Sequence, residues 1–224
     1  MRRGLLVLCA AAVLGGPVIG WAQSPRAETV HGLDAASQRQ LYLDLIARLR
    51  LEGSAHAALA HLDAFDQQYP KDPEAQVLRA DCLNDVGEAA EAEALYRKLV
   101  NGPVADRAEA GLGHIAAARG DWQGAADAFA RAVKRKPTHA PYLNDLGFAL
   151  ARLGRTDEAL FRFRQALELA PGDRLARNNL IVTLEKAGKA EEARRLAAAI
   201  ASPQERAAAQ ALLEAQVASQ GDPG

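Results

Sequence analysis

Apolar positions recur three and four residues apart through most of the chain, as in Leu143, Leu146, Phe148–Leu150 and Leu153. That spacing lays one apolar stripe along a helix, whereas the two-residue alternation of a half-buried strand is rare here. The stripes are also punctuated at a fixed interval. Gly53, Gly87, Gly120, Gly154 and Gly188 stand 34, 33, 34 and 34 residues apart. Five residues after each comes an alanine: Ala58, Ala92, Ala125, Ala159 and Ala193. Seven before each stands Ile46, Ala80, Gly113, Gly147 or Ile181, and nine after the first four stand Leu62, Tyr96, Phe129 and Phe163. Pro70, Pro137 and Pro171 close three units. The columns divide the chain into units 39–72, 73–105, 106–139, 140–173 and 174–207, each the length of one helix pair.

Every column has a physical assignment. The glycine ends the first helix, because a left-handed C′ residue costs glycine least. Asp121 or Thr156 then offers an N-cap oxygen to the second helix. Gly147 and Ala159, with Gly113 in the same column as Gly147, are small so that the two helices of a pair approach closely. Phe163, with its equivalent Phe129, is expected to fill the groove toward the next unit. Pro137 and Pro171 mark the exit from the second helix. Ser202, Pro203 and Glu205 spell an N-cap, a first-turn proline and a capping-box partner for a last helix over 203–218. Its Leu212, Leu213 and Val217 lid the final unit, and residues 219–224 are expected to form a disordered tail.

A 34-residue period with these columns resembles the tetratricopeptide repeat (TPR). "DLGFALARLGRTDEALFRFRQALELAPGD" carries the resemblance nearly throughout, and "GLGHIAAARGDWQGAADAFARAVKRKP" almost as well. It implies an all-α protein, a right-handed α-solenoid of about five TPR helix pairs with a C-terminal capping helix. The looser units 39–72 and 174–207 suit terminal repeats, whose outer faces meet water. In this family the first helices line a concave groove that takes an extended peptide or a partner helix. Carried over residue by residue, the groove is Asp81 and Asp85, then Arg107 and His114, then Asn144, Phe148 and Arg152, then Asn178, Val182 and Lys186. Asn144 and Asn178 occupy equivalent places, and asparagine is a poor helix former. Two readings stand side by side: a ladder of amides for a bound backbone, or an inter-repeat hydrogen bond or ordinary solvation. Phe148 is either a groove anchor or packed under the adjacent unit.

Composition narrows the function. The formal net charge is −1, so neither nucleic acid nor an anionic membrane is an implied partner. Arg2 and Arg3 precede the apolar "GLLVLCAAAVLGGPVIGWA", and Gly20 and Ala22 place small residues where a signal peptidase reads. Residues 1–22 therefore read as a secretory signal peptide and 23–38 as a flexible arm. An uncleaved anchor and a lipoprotein signal modified at Cys9 are the alternatives, the latter disfavoured by the bulky Leu8. Cleavage would remove two arginines and no acid, leaving 25 basic against 28 acidic residues, or −3. It would also leave one cysteine, Cys82, whose apolar helical surroundings read as a buried structural thiol. Membrane association is then expected only through a partner or an uncleaved signal segment.

No catalytic pattern emerges. The histidines at 31, 56, 61, 114 and 139 have no zinc spacing, and there is no phosphate-binding glycine loop and no Gly-x-Ser-x-Gly elbow. No metal and no cofactor is implied. The chaperone-adaptor carboxylate clamp of Lys, Asn and Arg is missing as well, since that stretch offers Val77, Asp81, Ala110 and Gly111. Within the family, "YLNDLGFALARLGRTDEALFRFRQALELAPGDRLARNNLIVTLEKAGKAEEARRL" resembles the TPR protein of Flp/Tad (tight-adherence) pilus assembly, a group associated with the outer-membrane secretin and often lipidated. The Cys9 context departs from that lipidation pattern. The resemblance implies a non-catalytic, exported, periplasmic scaffold, outer-membrane-associated through its partners, with pilus secretin or assembly components among them. The alternatives are an adaptor in cell-wall, polysaccharide-export or cytochrome maturation machinery, and a domain that self-associates through its solenoid ends.

Overall fold

The computed structural model describes residues 34–220 of the 224-residue chain, all helix and connecting turn. Expectations for residues 1–22, for 23–33 and for 221–224 lie outside the described residues. The chain divides into two compact units, one ending at Gln38 and one running from Arg39 onward. Of the first, Asp34–Gln38 is described. Asp34 Oδ1 accepts the Ser37 N–H at 2.7 Å and helix α1 (Ala35–Leu51) has already begun. The arm expected to be flexible through residue 38 is therefore helical from Ala35. No glycine or proline stands between Ala35 and Leu51 to delay the helix.

The unit from Arg39 onward continues with α2 (Ala55–Gln68), α3 (Pro73–Asp85), α4 (Ala89–Leu99), α5 (Ala105–Ala118), α6 (Trp122–Arg135), α7 (Ala140–Arg152), α8 (Thr156–Leu169), α9 (Arg174–Lys186), α10 (Ala190–Ala198) and α11 (Pro203–Gln220). From α2 on, each helix packs on the next, and α3 also touches α5 and α7 touches α9. That is the stacking of a helix-pair solenoid, in which each unit buries its apolar face on its neighbours. All five column glycines are left-handed, with φ between +72° and +92°, a region where a side chain is strained.

Packing within a pair follows the small-and-aromatic columns. A Cβ on Gly147 would lie 2.8 Å from the Phe163 ring, and one on Gly113 would lie 2.6 Å from Phe129. The aromatic column thus fills the seat left by the glycine of its own unit, rather than reaching into the next as the sequence implied. Tyr96 behaves differently because its own unit has Ala80 at that position. Its ring sits instead against Gly111 of the next unit, where a Cβ would collide with it. Ala58, Ala92, Ala125, Ala159 and Ala193 are all fully buried.

One capping assignment is corrected. Asp121 does cap α6, accepting the Gly124 N–H at 2.9 Å. Thr156 does not cap α8: it is the first helical residue, Arg155 holds the cap position, and the Thr156 hydroxyl donates to Gly154 O at 3.4 Å. At α11, Ser202 Oγ accepts the Glu205 N–H at 3.4 Å. Glu205 is drawn forward, 2.6 Å from Arg177 and 3.5 Å from Arg174 of α9, and ties the last helix to the repeat before it. The helix runs to Gln220, two residues past the expected end, and buries Ala209 and Leu213 against the final repeats. The Val217 side chain lies outside what is described.

Candidate partner-binding groove

The first helices α3, α5, α7 and α9 bring the carried-over residues to one stripe, and its two halves differ in charge. In the first half the acids are already answered from within the chain. Asp85 lies 2.6 Å from Arg50 Nε. Asp81 accepts the Tyr96 hydroxyl at 2.5 Å and stands 3.4 Å from Arg107 and 3.5 Å from Arg50. Arg107 also bonds Glu74. Burial and the neighbouring Asp81 raise the Tyr96 phenol well above its ordinary range, so it serves as a neutral donor. Asp81, Asp85 and Arg107 therefore form an internal lattice joining α1, α3, α4 and α5.

The middle of the stripe is a polar relay. His114 Nε2 lies 3.5 Å from Asp145 Oδ2, and the His114 ring meets the edge of Phe129. Burial raises the Asp145 carboxyl, with His114 and the Asn144 amide opposing that shift. Asn144 is 3% exposed, and its Oδ1 accepts the Asn179 amide at 2.9 Å. Asn144 is thus placed in an inter-repeat hydrogen bond and not on an open amide ladder. Its partner is Asn179, not the column-equivalent Asn178.

The second half is open. Phe148, Arg152, Asn178, Val182 and Lys186 converge on a single pocket of about 340 Å³, within the range of ligand-sized clefts. Phe148 is 42% exposed and packs edge-to-face on Trp122, with ring centroids 5.8 Å apart. The Arg152 guanidinium lies over the same indole, 4.4 Å from its centroid. Leu212 of α11 supplies a further wall.

Sequence reasoning missed Trp122 and Leu212. Trp122 directly follows the Asp121 cap, a place that reads as a solvent-exposed helix start. Leu212 reads as part of the lid, and only the packing of α11 against α9 turns it to the groove. Among the described residues no cluster of three His, Cys, Asp or Glu is arranged to hold a metal ion, and no helix is long and apolar enough to cross a membrane.

Comparison with known proteins places the fold. The tetratricopeptide-repeat profile matches residues 99–140 and 140–173. Over 189 residues the chain is 33% identical to the TPR repeat-containing protein PA4299 of Pseudomonas aeruginosa, covering 84% of this chain and 74% of that one. The chain belongs to the tetratricopeptide-repeat family. Among solved structures, the thermophilic TPR protein TTC0263 of Thermus thermophilus is similar, with a TM-score of 0.60 and 24% identity over 78% of this chain and 98% of that one. MamA from Desulfovibrio magneticus RS-1 is similar at a TM-score of 0.56 and 18% identity, covering 83% of this chain and 98% of that one. At these identities the likeness concerns the fold alone. TPR folds are typically non-catalytic scaffolds that bind protein or peptide partners.

Proposed function

We propose that this TPR protein is an exported scaffold that holds a protein partner in the pocket between α7, α9 and α11, and that it assists Flp/Tad pilus or secretin assembly. The observation that carries the binding reading is Phe148. A large aromatic ring stays 42% exposed on the helix face that lines a formed pocket, while the equivalent acidic face of α3 is closed by arginines. Exposed aromatics in concave sites are the usual anchors of interfaces. The pilus reading is supported by the resemblance carried in 142–196, and the periplasmic location by the residue pattern of 1–22.

The test is a cross-linked pull-down from envelope extract, using the native chain and a Phe148→Ala, Asn178→Ala chain. Asn144 is left intact because it bonds within the fold. Recovery of pilus secretin or assembly proteins by the native chain alone is the expected result. Cell-wall, export or cytochrome-maturation proteins in their place would end the pilus reading. Equal recovery by both chains would move the contact away from this pocket.

A further inference from the structure

Among the described residues, no acid answers the charge of the α7–α9–α11 pocket. Arg152 and Lys186 both line it, and no aspartate or glutamate does. Among the described residues neither makes an ion pair, in contrast to Arg50, Arg107 and Arg177 on the same row of helices. Glu185, the acid beside Lys186, belongs to a separate pocket shared with Leu213 and Glu214. It does not offset Lys186 where the groove is.

Arg152 is also held ready. Its guanidinium lies 4.4 Å from the Trp122 ring centroid, and among the described residues its N–H groups make no hydrogen bond or ion pair, leaving free the fork that grips a carboxylate with two bonds. The floor beside it is apolar: Phe148, Ala151, Val182 and Leu212. Asn178 adds an amide able to bond an extended backbone, whereas the buried Thr183 hydroxyl is already spent on Asn179 O at 2.7 Å. A half-exposed aromatic surface next to two free cations complements one kind of occupant.

Resting on the partner-binding reading above, we propose that this pocket selects an extended segment of a partner protein bearing a large apolar side chain beside an aspartate or glutamate. The apolar side chain covers Phe148 and Leu212, and the carboxylate meets Arg152 and Lys186. The pocket thus discriminates by charge: a basic segment meets two uncompensated cations and is rejected.

The experiment pans a displayed library of random heptapeptides against the full chain, then measures the winning synthetic peptide by fluorescence anisotropy. The expected winners carry Asp or Glu within three residues of Phe, Leu, Ile or Trp. Arg152→Glu with Lys186→Glu weakens the winning peptide by roughly tenfold or more, as reversal of two partly exposed charges implies. The milder Arg152→Gln, Lys186→Gln chain weakens it less, and helical circular dichroism on each chain verifies folding. Winners without acids, affinity unchanged within twofold on charge reversal, or no winners at all overturn the proposal. So does binding that appears only after residues 219–224 are deleted, which would make the chain's own tail the occupant, or a pocket occluded by a second copy in sedimentation. The two readings fail separately. If Phe148→Ala abolishes envelope recovery while the charge-reversed chain recovers the partner normally, the groove stands and its acid selectivity does not.

Discussion

Asn179 of α9 donates its side-chain amide to Asn144 of α7 at 2.9 Å, joining two repeats across a buried seam. The neighbouring Asn178 lines the pocket as Asn179 does, but among the described residues its side chain makes no hydrogen bond. A single step along the sequence thus separates a residue that holds the stack together from one that is free to bind. Asn144→Ala leaves a half-buried amide unpaired and is expected to destabilise the chain by about 1–3 kcal/mol. Asn178→Ala is expected to stay within about 0.5 kcal/mol of the native chain. Urea denaturation of both variants measures the difference, and equal stabilities would contradict the assignment.

Gly111 makes a sharper packing test. The Tyr96 ring occupies the space a Cβ would need, and the Tyr96–Asp81 hydrogen bond at 2.5 Å prevents the ring from yielding. An exposed helical glycine replaced by alanine gains up to about 1 kcal/mol. Here the sign reverses, and Gly111→Ala is expected to cost about 1–3 kcal/mol through overpacking. Combined with Tyr96→Leu, the two penalties should fall short of their sum, because the second change removes the clash. Strict additivity in thermal unfolding would show that the ring does not set the helix spacing.

Asp72 links capping to acid stability. Its carboxylate accepts the Ala75 N–H at 3.1 Å and two bonds from Arg39 at 2.5 and 2.8 Å. Burial works to raise this carboxyl, yet Arg39 and the Ala75 N–H outweigh it and hold it below the ordinary value of 3.8. A carboxyl depressed in the folded state adds stability above its unfolded pKa and loses it as pH falls through the folded one. Asp72→Asn keeps a capping oxygen but removes the charge. Its melting temperature should therefore fall less steeply than that of the native chain below about pH 4. Parallel curves would contradict the assignment.

Cys82 lies fully buried, and burial pushes its thiol up to about 11. The thiolate is the reactive form, so the folded chain should resist alkylation at pH 7. In a Cys9→Ser chain, labelling is expected only on the timescale of unfolding. Rapid labelling under native conditions would place Cys82 at an accessible surface.

The columns at 34-residue spacing made the helix pairs legible, since glycine turns and the Gly147–Phe163 seat depend on equivalent positions repeating. Cross-repeat bonds obey a different offset. Arg39–Asp72 spans 33 residues, Arg50–Asp85 and Asn144–Asn179 span 35, and Tyr142–Asp106 spans 36. Neighbouring first helices meet along slanted lines, so the bonding partner is one or two positions away from the equivalent residue. Alignment of Asn144 with Asn178 therefore found the right column and the wrong partner. The pocket was half legible for the same reason. Phe148, Arg152, Val182 and Lys186 share the repeat's stripe, whereas Leu212 lines the pocket from α11 and Trp122 of α6 backs Phe148 and Arg152, and no column connects either to the groove.

The most direct measurement places a photo-reactive amino acid at position 148 or at position 161 in living cells and compares the covalent adducts. Both phenylalanines are exposed, at 42% and 53%, but only Phe148 lines the pocket. Adducts with a partner protein from position 148, and none from 161, are the predicted result. Adducts from position 161 alone would contradict the groove as the binding surface.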